Sequence, residues 1–320
     1  MTQADENTPR EGQQEELLVW PKHGGLVDQA SLWVPQRLLK WQCDVLTRLM
    51  KPGSRVACVT PNGSGKTRMV LPSAGLGVMA AFPGAQVVST AGVARQIEQQ
   101  LWPVLRSALS PYPNWKPVDD ELLIRAPSVR GLPPSTWKAF TTKDPDYAEG
   151  FHPRVYKDNT GKFCYAPLMV IIDEAKSFGD QKFFDAFKRC SPDFWLVIST
   201  PGDESGPFFE CFNKRKGKPW ENIWVEWEDC PHLRVGRAYE ERMQEIEERG
   251  KDDPFVLSWI FGKFFRAGTM MVFNKMALID LAMSGQIRHR KGDRWAALDF
   301  SGGGDEAVFG VRDGNAVLDI

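Results

Sequence analysis

The stretch Val59-Thr60-Pro61-Asn62-Gly63-Ser64-Gly65-Lys66-Thr67 holds the densest phosphate chemistry in this sequence. Glycines at 63 and 65 let successive backbone N–H groups turn onto phosphate oxygens. A helix starting behind them adds its positive end. Lys66 can reach the β- and γ-phosphates of ATP, and the Thr67 hydroxyl can ligate Mg²⁺. Pro61, Asn62, Gly63, Ser64 and Gly65 would form the cradle. The full pattern has glycine where Thr60 stands, so this loop is a variant of it. A plain glycine-rich turn with an incidental lysine is the bland alternative.

A second cluster argues against that alternative. The apolar run Leu168-Met169-Val170-Ile171-Ile172 ends in Asp173-Glu174, about 100 residues downstream. A buried strand that delivers two carboxylates at its C-terminal end puts them where open α/β sheets bind ligands. Asp173 would hold Mg²⁺ through water, and Glu174 would polarise the attacking water. Glu174 and Lys66 are therefore the candidate catalytic residues. The third cluster is Val197-Ile198-Ser199-Thr200-Pro201-Gly202. Hydroxyls at a strand end can register a γ-phosphate and its departure, although the same residues also make a plain turn. The fourth is Trp41-Gln42: an amide can pair with an adenine edge and an aromatic can stack on it. The alternative is a core tryptophan beside a surface glutamine.

These residues need elements to position them. Residues 35–50 place Leu38, Leu39, Trp41, Val45, Leu46 and Leu49 at helical spacing, and Lys51-Pro52-Gly53 ends the pattern. Residues 55–59 predict a strand, with a helix following the glycine-rich turn. A strand over 86–89 and a helix over 93–109 come next. Residues 110–160 predict hairpins and loops. Residues 167–172 and 195–199 predict buried strands, separated by a helix over 180–189. Strands alternating with helices imply a parallel sheet in an α/β fold. A charged helix is expected over 235–249. Residues 295–300 and 307–311 predict strands of something new, joined by a glycine-rich turn.

The composition is that of an ordinary folded protein: 320 residues, 42% hydrophobic and 25% charged. It excludes disordered and fibrous classes and sets a prior of about two domains. No apolar run reaches the roughly 18 residues of a membrane span. The polar, acidic N-terminus lacks the layout of a signal peptide, so a non-secreted, cytoplasmic protein with no membrane partner is expected. The six cysteines, Cys43, Cys58, Cys164, Cys190, Cys211 and Cys230, are scattered and form no CxxC pair, which fits free thiols. With a net charge of −1, any contact with nucleic acid must come from a local patch.

In combination and order, these motifs resemble the large terminase subunit of tailed bacteriophages, over roughly residues 30–320. The resemblance rests on Trp41-Gln42, on PNGSGKT at 61–67, on Glu149-Gly150-Phe151-His152-Pro153, on LMVIIDEA at 168–175, on ISTPG at 198–202 and on Gly262-Lys263-Phe264. It implies a P-loop, RecA-like (ASCE) ATPase fold followed by the start of an RNase H-like nuclease. The implied organisation is a polar tail at 1–30, the ATPase core at 31–205, a lid and linker at 206–290, and an incomplete nuclease domain at 291–320. It implies a motor that hydrolyses ATP to move double-stranded DNA into a procapsid. The implied partners are the portal protein, a small terminase subunit and further copies of the chain in a ring.

By the same resemblance, Asp299 would be the first nuclease metal carboxylate, for Mg²⁺ or Mn²⁺. Asp305 matches a recurring acidic position. One carboxylate cannot build a two-metal cage, so nuclease activity is not expected of this chain. Many members of the family carry an arginine within the phosphate loop, where this sequence has Asn62. Arg95, Arg130 and Arg68 are the candidate replacements, or else surface arginines. Two basic runs, 213–218 and 288–291, are candidate DNA contacts or else solvated loops. His152 has no metal-ligand spacing around it. Two other readings are a helicase-like DNA-dependent ATPase, for which about 120 residues after Pro201 are few, and a nucleotide-binding remnant without activity.

Overall fold

The computed structural model describes residues 25–51, 53–129, 131–141, 150–213 and 220–266, together with the backbone of 294–299, 308–313 and 316–319. The chain divides into two compact units, Met1–Arg266 and Ala267–Ile320. Residues 206–266, from the stretch expected as lid and linker, belong to the first unit.

The first unit opens with α1 (Leu26–Trp33) and α2 (Lys40–Leu49), then β1 (Ser54–Val59). Helix α2 starts five residues later than the periodicity predicts. The Gln42 side chain caps it, accepting from the Leu39 backbone N–H at 2.9 Å, which leaves Leu39 extended. After the phosphate loop comes a wide π-turn at Lys66–Val70, then α3 (Leu71–Ala81). Strand β2 (Gln86–Ala91) leads to a second π-turn at Gln96–Leu101 and α4 (Trp102–Leu109). Both widened turns stand two residues before a proline, Pro72 and Pro103. A proline ring crowds the carbonyl four residues back and offers no N–H, and widening the helix relieves that clash.

Short strands β3 (Lys116–Val118), β4 (Leu123–Arg125) and β5 (Thr136–Phe140) follow. Next is the hairpin of β6 (Arg154–Lys157) and β7 (Phe163–Ala166). Then come β8 (Leu168–Asp173), α5 (Gln181–Arg189), β9 (Phe194–Ser199), α6 (Gly206–Glu210), β10 (Glu221–Trp224) and α7 (Gly236–Arg249).

The main sheet has the order β10-β1-β9-β8-β2-β5-β4-β3. Strands β10, β1, β9, β8, β2 and β5 run parallel, and β4 and β3 extend the sheet antiparallel. Alternate residues face opposite layers. Val56, Cys58, Met169, Ile171, Leu196 and Ile198 pack with the layer of α1 to α4, whereas Ala57, Val59, Val170, Ile172 and Val197 pack with α5 and α6. Burial on both faces explains why β8 and β9 read as unbroken apolar runs. Gly75 lets α3 approach the sheet, since a Cβ there would meet the Trp137 ring at 2.3 Å. Two sheet strands went unforeseen: β5, which joins the sheet parallel to β2 from a region expected to hold hairpins and loops, and β10, which falls between the strands predicted at 195–199 and 295–300.

In the second unit, β11 (Arg294–Asp299), β12 (Val308–Asp313) and β13 (Ala316–Asp319) form an antiparallel sheet in that order. Asp299 is the last residue of β11, opposite Val308. Asp305 and residues 288–291 lie outside the described residues, as do Arg130, residues 214–218, Glu149 and most of the N-terminal tail.

Candidate active site

The sheet order brings the predicted clusters together. Strand β9 lies between β1, which leads into the phosphate loop, and β8, which carries the carboxylates. Ser199 is paired with Val59 on one side, and its neighbour Ile198 with Asp173 on the other. The loop, both carboxylates and both hydroxyls therefore meet at the C-terminal ends of three adjacent strands.

Their contacts form one network. Lys66 Nζ lies 2.5 Å from Glu174 Oε1, with side chains only 10% and 14% exposed. The Thr67 hydroxyl donates to Asp173 Oδ2 at 3.0 Å, and Asp173 Oδ1 accepts from the Glu174 N–H at 3.0 Å. Ser199 and Thr200 both donate to Glu174 Oε2, at 3.1 and 3.4 Å. Glu174 sits in the left-handed region, φ 49°, unusual for a residue with a side chain. Lys66, Ser199 and Thr200 hold it there.

Burial and charge set the ionisation of this group. Burial works to raise Glu174, but the adjoining Lys66 ammonium outweighs it and holds the carboxyl below its usual range. Burial raises Asp173, against the pull of Lys66. Burial also works against Lys66, yet Asp173 and Glu174 keep its amine above the ordinary lysine value.

Thr60, the departure from the usual glycine, is fully buried and accepts from the Ser64 hydroxyl across the loop at 3.0 Å. Its N–H donates to the Ser199 carbonyl at 3.0 Å, which ties the loop to β9. Pro61 and Ser64 are buried in the loop, and Asn62 and Gly63 face outward. Trp41 is 4% exposed within the core, with no open face for a base to stack on. Gln42 is 2% exposed and lies under the loop, with its Nε2 3.5 Å from the Ser64 carbonyl. Both Gln42 groups are thus engaged by the protein itself. Arg68, Arg95 and His152 are exposed.

Three features escaped the sequence reading. Lys176, two residues past Glu174, donates to Thr200 Oγ1 at 2.6 Å, and burial holds its amine below the ordinary lysine range. The segment after α7 straps the loop to the end of β9. Asn62 N–H donates to the Trp259 carbonyl at 3.0 Å, and the Ser258 hydroxyl donates to the Pro201 carbonyl at 2.6 Å. Arg242, on α7, is 5% exposed and donates to the Asn62 carbonyl at 3.0 Å. Only Gly262-Lys263-Phe264 hinted at the strap. A Cβ on Gly262, at φ +69°, would stand 2.6 Å from the Val225 carbonyl and 3.0 Å from Pro61 N.

Among the described residues, no helix is long and apolar enough to cross a membrane. No group of three or more His, Cys, Asp or Glu residues there could hold a metal ion alone.

No family model matches the sequence, and no curated protein matches it. Solved structures do match its fold. The large terminase from a thermophilic bacteriophage aligns at 16% identity over 86% of this chain and 65% of its own, with a TM-score of 0.56. The same terminase in complex with ADP gives 16%, 85%, 64% and 0.55. The ATPase domain of the Thermus phage P74-26 large terminase gives 16% identity over 76% of this chain and 100% of that domain, with a TM-score of 0.52. The chain thus spans just under two thirds of the first of these proteins. At such identity the likeness establishes the fold, a mostly parallel sheet flanked by helices, which this chain shares with the ATPase domains of large terminases.

Proposed function

We propose that this chain is the ATP-hydrolysing motor of a phage DNA-packaging machine, a large terminase subunit. The observation that carries the ATPase reading is the convergence of Lys66, Thr67, Asp173, Glu174, Ser199 and Thr200 at the ends of β1, β8 and β9. Its fold supports the terminase reading, as does the ADP bound by one protein of that fold.

In this reading, the N–H groups of the loop and Lys66 seat the phosphates. The Thr67 hydroxyl and the Asp173 carboxylate, 3.0 Å apart, are an all-oxygen pair that fits Mg²⁺. That ion would neutralise charge on the phosphate oxygens when bound. Glu174 orients a water for attack on the γ-phosphorus and accepts its proton. Ser199 and Thr200 keep that carboxylate in place, and the 257–266 strap carries their displacement toward α7. Asp299, at the end of β11, is proposed as one metal carboxylate of a nuclease. Two-metal cleavage would need further carboxylates. Duplex DNA, a portal and a small terminase subunit are the partners that the resemblance suggests.

Mg²⁺-dependent ATP hydrolysis, measured with and without duplex DNA beside Glu174→Gln, tests this reading. Turnover that is lost in the variant and stimulated by DNA is expected. ATP binding without turnover, in the presence of DNA and portal, would rule out a motor.

A further inference from the structure

The phosphate loop is held from outside at three consecutive peptides. The Asn62 carbonyl accepts from Arg242 Nη2 at 3.0 Å. The Gly63 carbonyl is 2.9 Å from His232 Nε2. The Ser64 carbonyl faces Gln42 Nε2 at 3.5 Å. In a trans peptide, the carbonyl and the next residue's N–H point in opposite directions. Drawing these carbonyls outward therefore turns the N–H groups of Gly63, Ser64 and Gly65 to the loop's other side. None of those three N–H groups donates to any group among the described residues. Successive inward N–H groups form an anion-binding nest.

Arg242 is the unusual member of this set. The residue is 5% exposed, and its guanidinium stacks 5.0 Å over the Trp259 ring and also donates to the Ala238 carbonyl at 3.0 Å. It contacts no carboxylate among the described residues, with the Glu241 charge acting on it only from a distance, and its Nε has no hydrogen-bond partner there. A buried cation without a counter-ion is costly to keep. An anion seated in the adjoining nest would supply the missing negative charge.

We propose that Arg242, assisted by His232 and Gln42, is a positioning residue that fixes the peptide orientation of the phosphate loop and so sets its affinity for di- and triphosphate nucleotides. Through it, α7 controls that affinity: withdrawing the helix frees the Asn62 carbonyl and loosens the nest. Gln42 thereby acts on the phosphates through the loop rather than on the base. The inference deepens the ATPase reading and rests on it.

The test is nucleotide affinity in the full chain. Arg242→Ala should raise the Kd of both ADP and ATP-γ-S about 10- to 100-fold, the loss expected for one hydrogen bond from a charged group. KM should rise by the same factor while kcat at saturation changes less than about threefold. Arg242→Lys should fall between the two, and guanidinium ion should partly restore Arg242→Ala. His232→Ala, an exposed change that buries nothing, should raise both Kd values in the same direction. Arg237→Ala, on the same helix and 90% exposed, should change neither. Titrations well below the unfolding midpoint separate affinity from stability. Wild-type Kd values in folded Arg242→Lys and His232→Ala would overturn the proposal alone. A wild-type chain that binds no adenine nucleotide would overturn it together with the ATPase reading.

Discussion

Lys66 and Glu174 form a nearly buried ion pair, Nζ to Oε1 at 2.5 Å, that joins the phosphate loop to the strand bearing the carboxylates. The lysine proposed for phosphate and the carboxylate proposed for water thus hold each other. Nucleotide binding must therefore compete with Glu174 for the ammonium. Glu174→Gln removes that competitor. The variant should bind ATP-γ-S at least as tightly as wild type, while turnover falls about 10²- to 10⁴-fold. Its nucleotide-free form should lose about 1–3 kcal/mol of stability, because the amide cannot satisfy a buried ammonium. Weaker ATP-γ-S binding in a fluorescence titration would show that the pair supports the bound state instead.

Gly262 offers a test of the strap. Its φ of +69° and the 2.6 Å separation between a built Cβ and the Val225 carbonyl leave no room for a side chain. The obstacle is backbone, which cannot rotate away. Gly262→Ala should cost about 1–3 kcal/mol. Because Pro61 N is the next atom in the way, the loop should shift as well and nucleotide affinity should fall. Calorimetric unfolding with and without ADP reads both effects. An unchanged midpoint would mean that the strap does not press on the loop.

The parts of this architecture that read directly from sequence are those whose signals are local. The phosphate loop is a contiguous string of loop-forming residues, and β8 and β9 are apolar runs buried on both faces. Asp173 and Glu174 followed because they end such a run. Strand β5 has alternating burial with Lys138 in its middle, and it pairs with β2 about 50 residues earlier. Strand β10, Glu221–Trp224, is only four residues long and lies at a sheet edge. Nothing within either segment announces a partner so far away. Arg242 is harder still. It lies in a helix crowded with glutamate and arginine, which reads as a solvated surface, and it is buried only because that helix packs on a loop 180 positions earlier. Trp41-Gln42 shows the converse. Its types suited a base, but the fold uses the tryptophan for core and the amide for a helix cap and a loop carbonyl.

The cysteines give an independent check of the packing. Cys58, Cys190, Cys211 and Cys230 are buried, and Cys43 and Cys164 are partly exposed. Burial pushes the Cys58 and Cys211 thiols far up and the Cys230 thiol up to about 12. Only thiolates react with a disulfide reagent. In native protein, the partly exposed Cys43 and Cys164 should react with the reagent, with Cys43 slowed because burial and neighbouring Asp44 raise it. All six should react in denaturant. Rapid modification of Cys58, on the strand that feeds the phosphate loop, would contradict the placement of β1 at the centre of the sheet.

Lys176 extends the network around Glu174 by one link, and the link is directional. Its ammonium can only donate, so the 2.6 Å contact occupies a lone pair of Thr200 Oγ1. The Thr200 proton is then left to point at Glu174 Oε2, 3.4 Å away. Lys176→Met frees that hydroxyl to rotate, and Thr200→Val removes it. Neither residue touches the phosphate loop, so KM for ATP should be preserved while kcat falls about tenfold in each. If the two act as one chain, the double variant should be little worse than either single variant. The coupling energy in the cycle should then lie between about 0.5 and 3 kcal/mol. Steady-state kinetics of the four proteins decide the matter. Fully additive losses would mean that Lys176 and Thr200 act on Glu174 separately, Lys176 by charge alone.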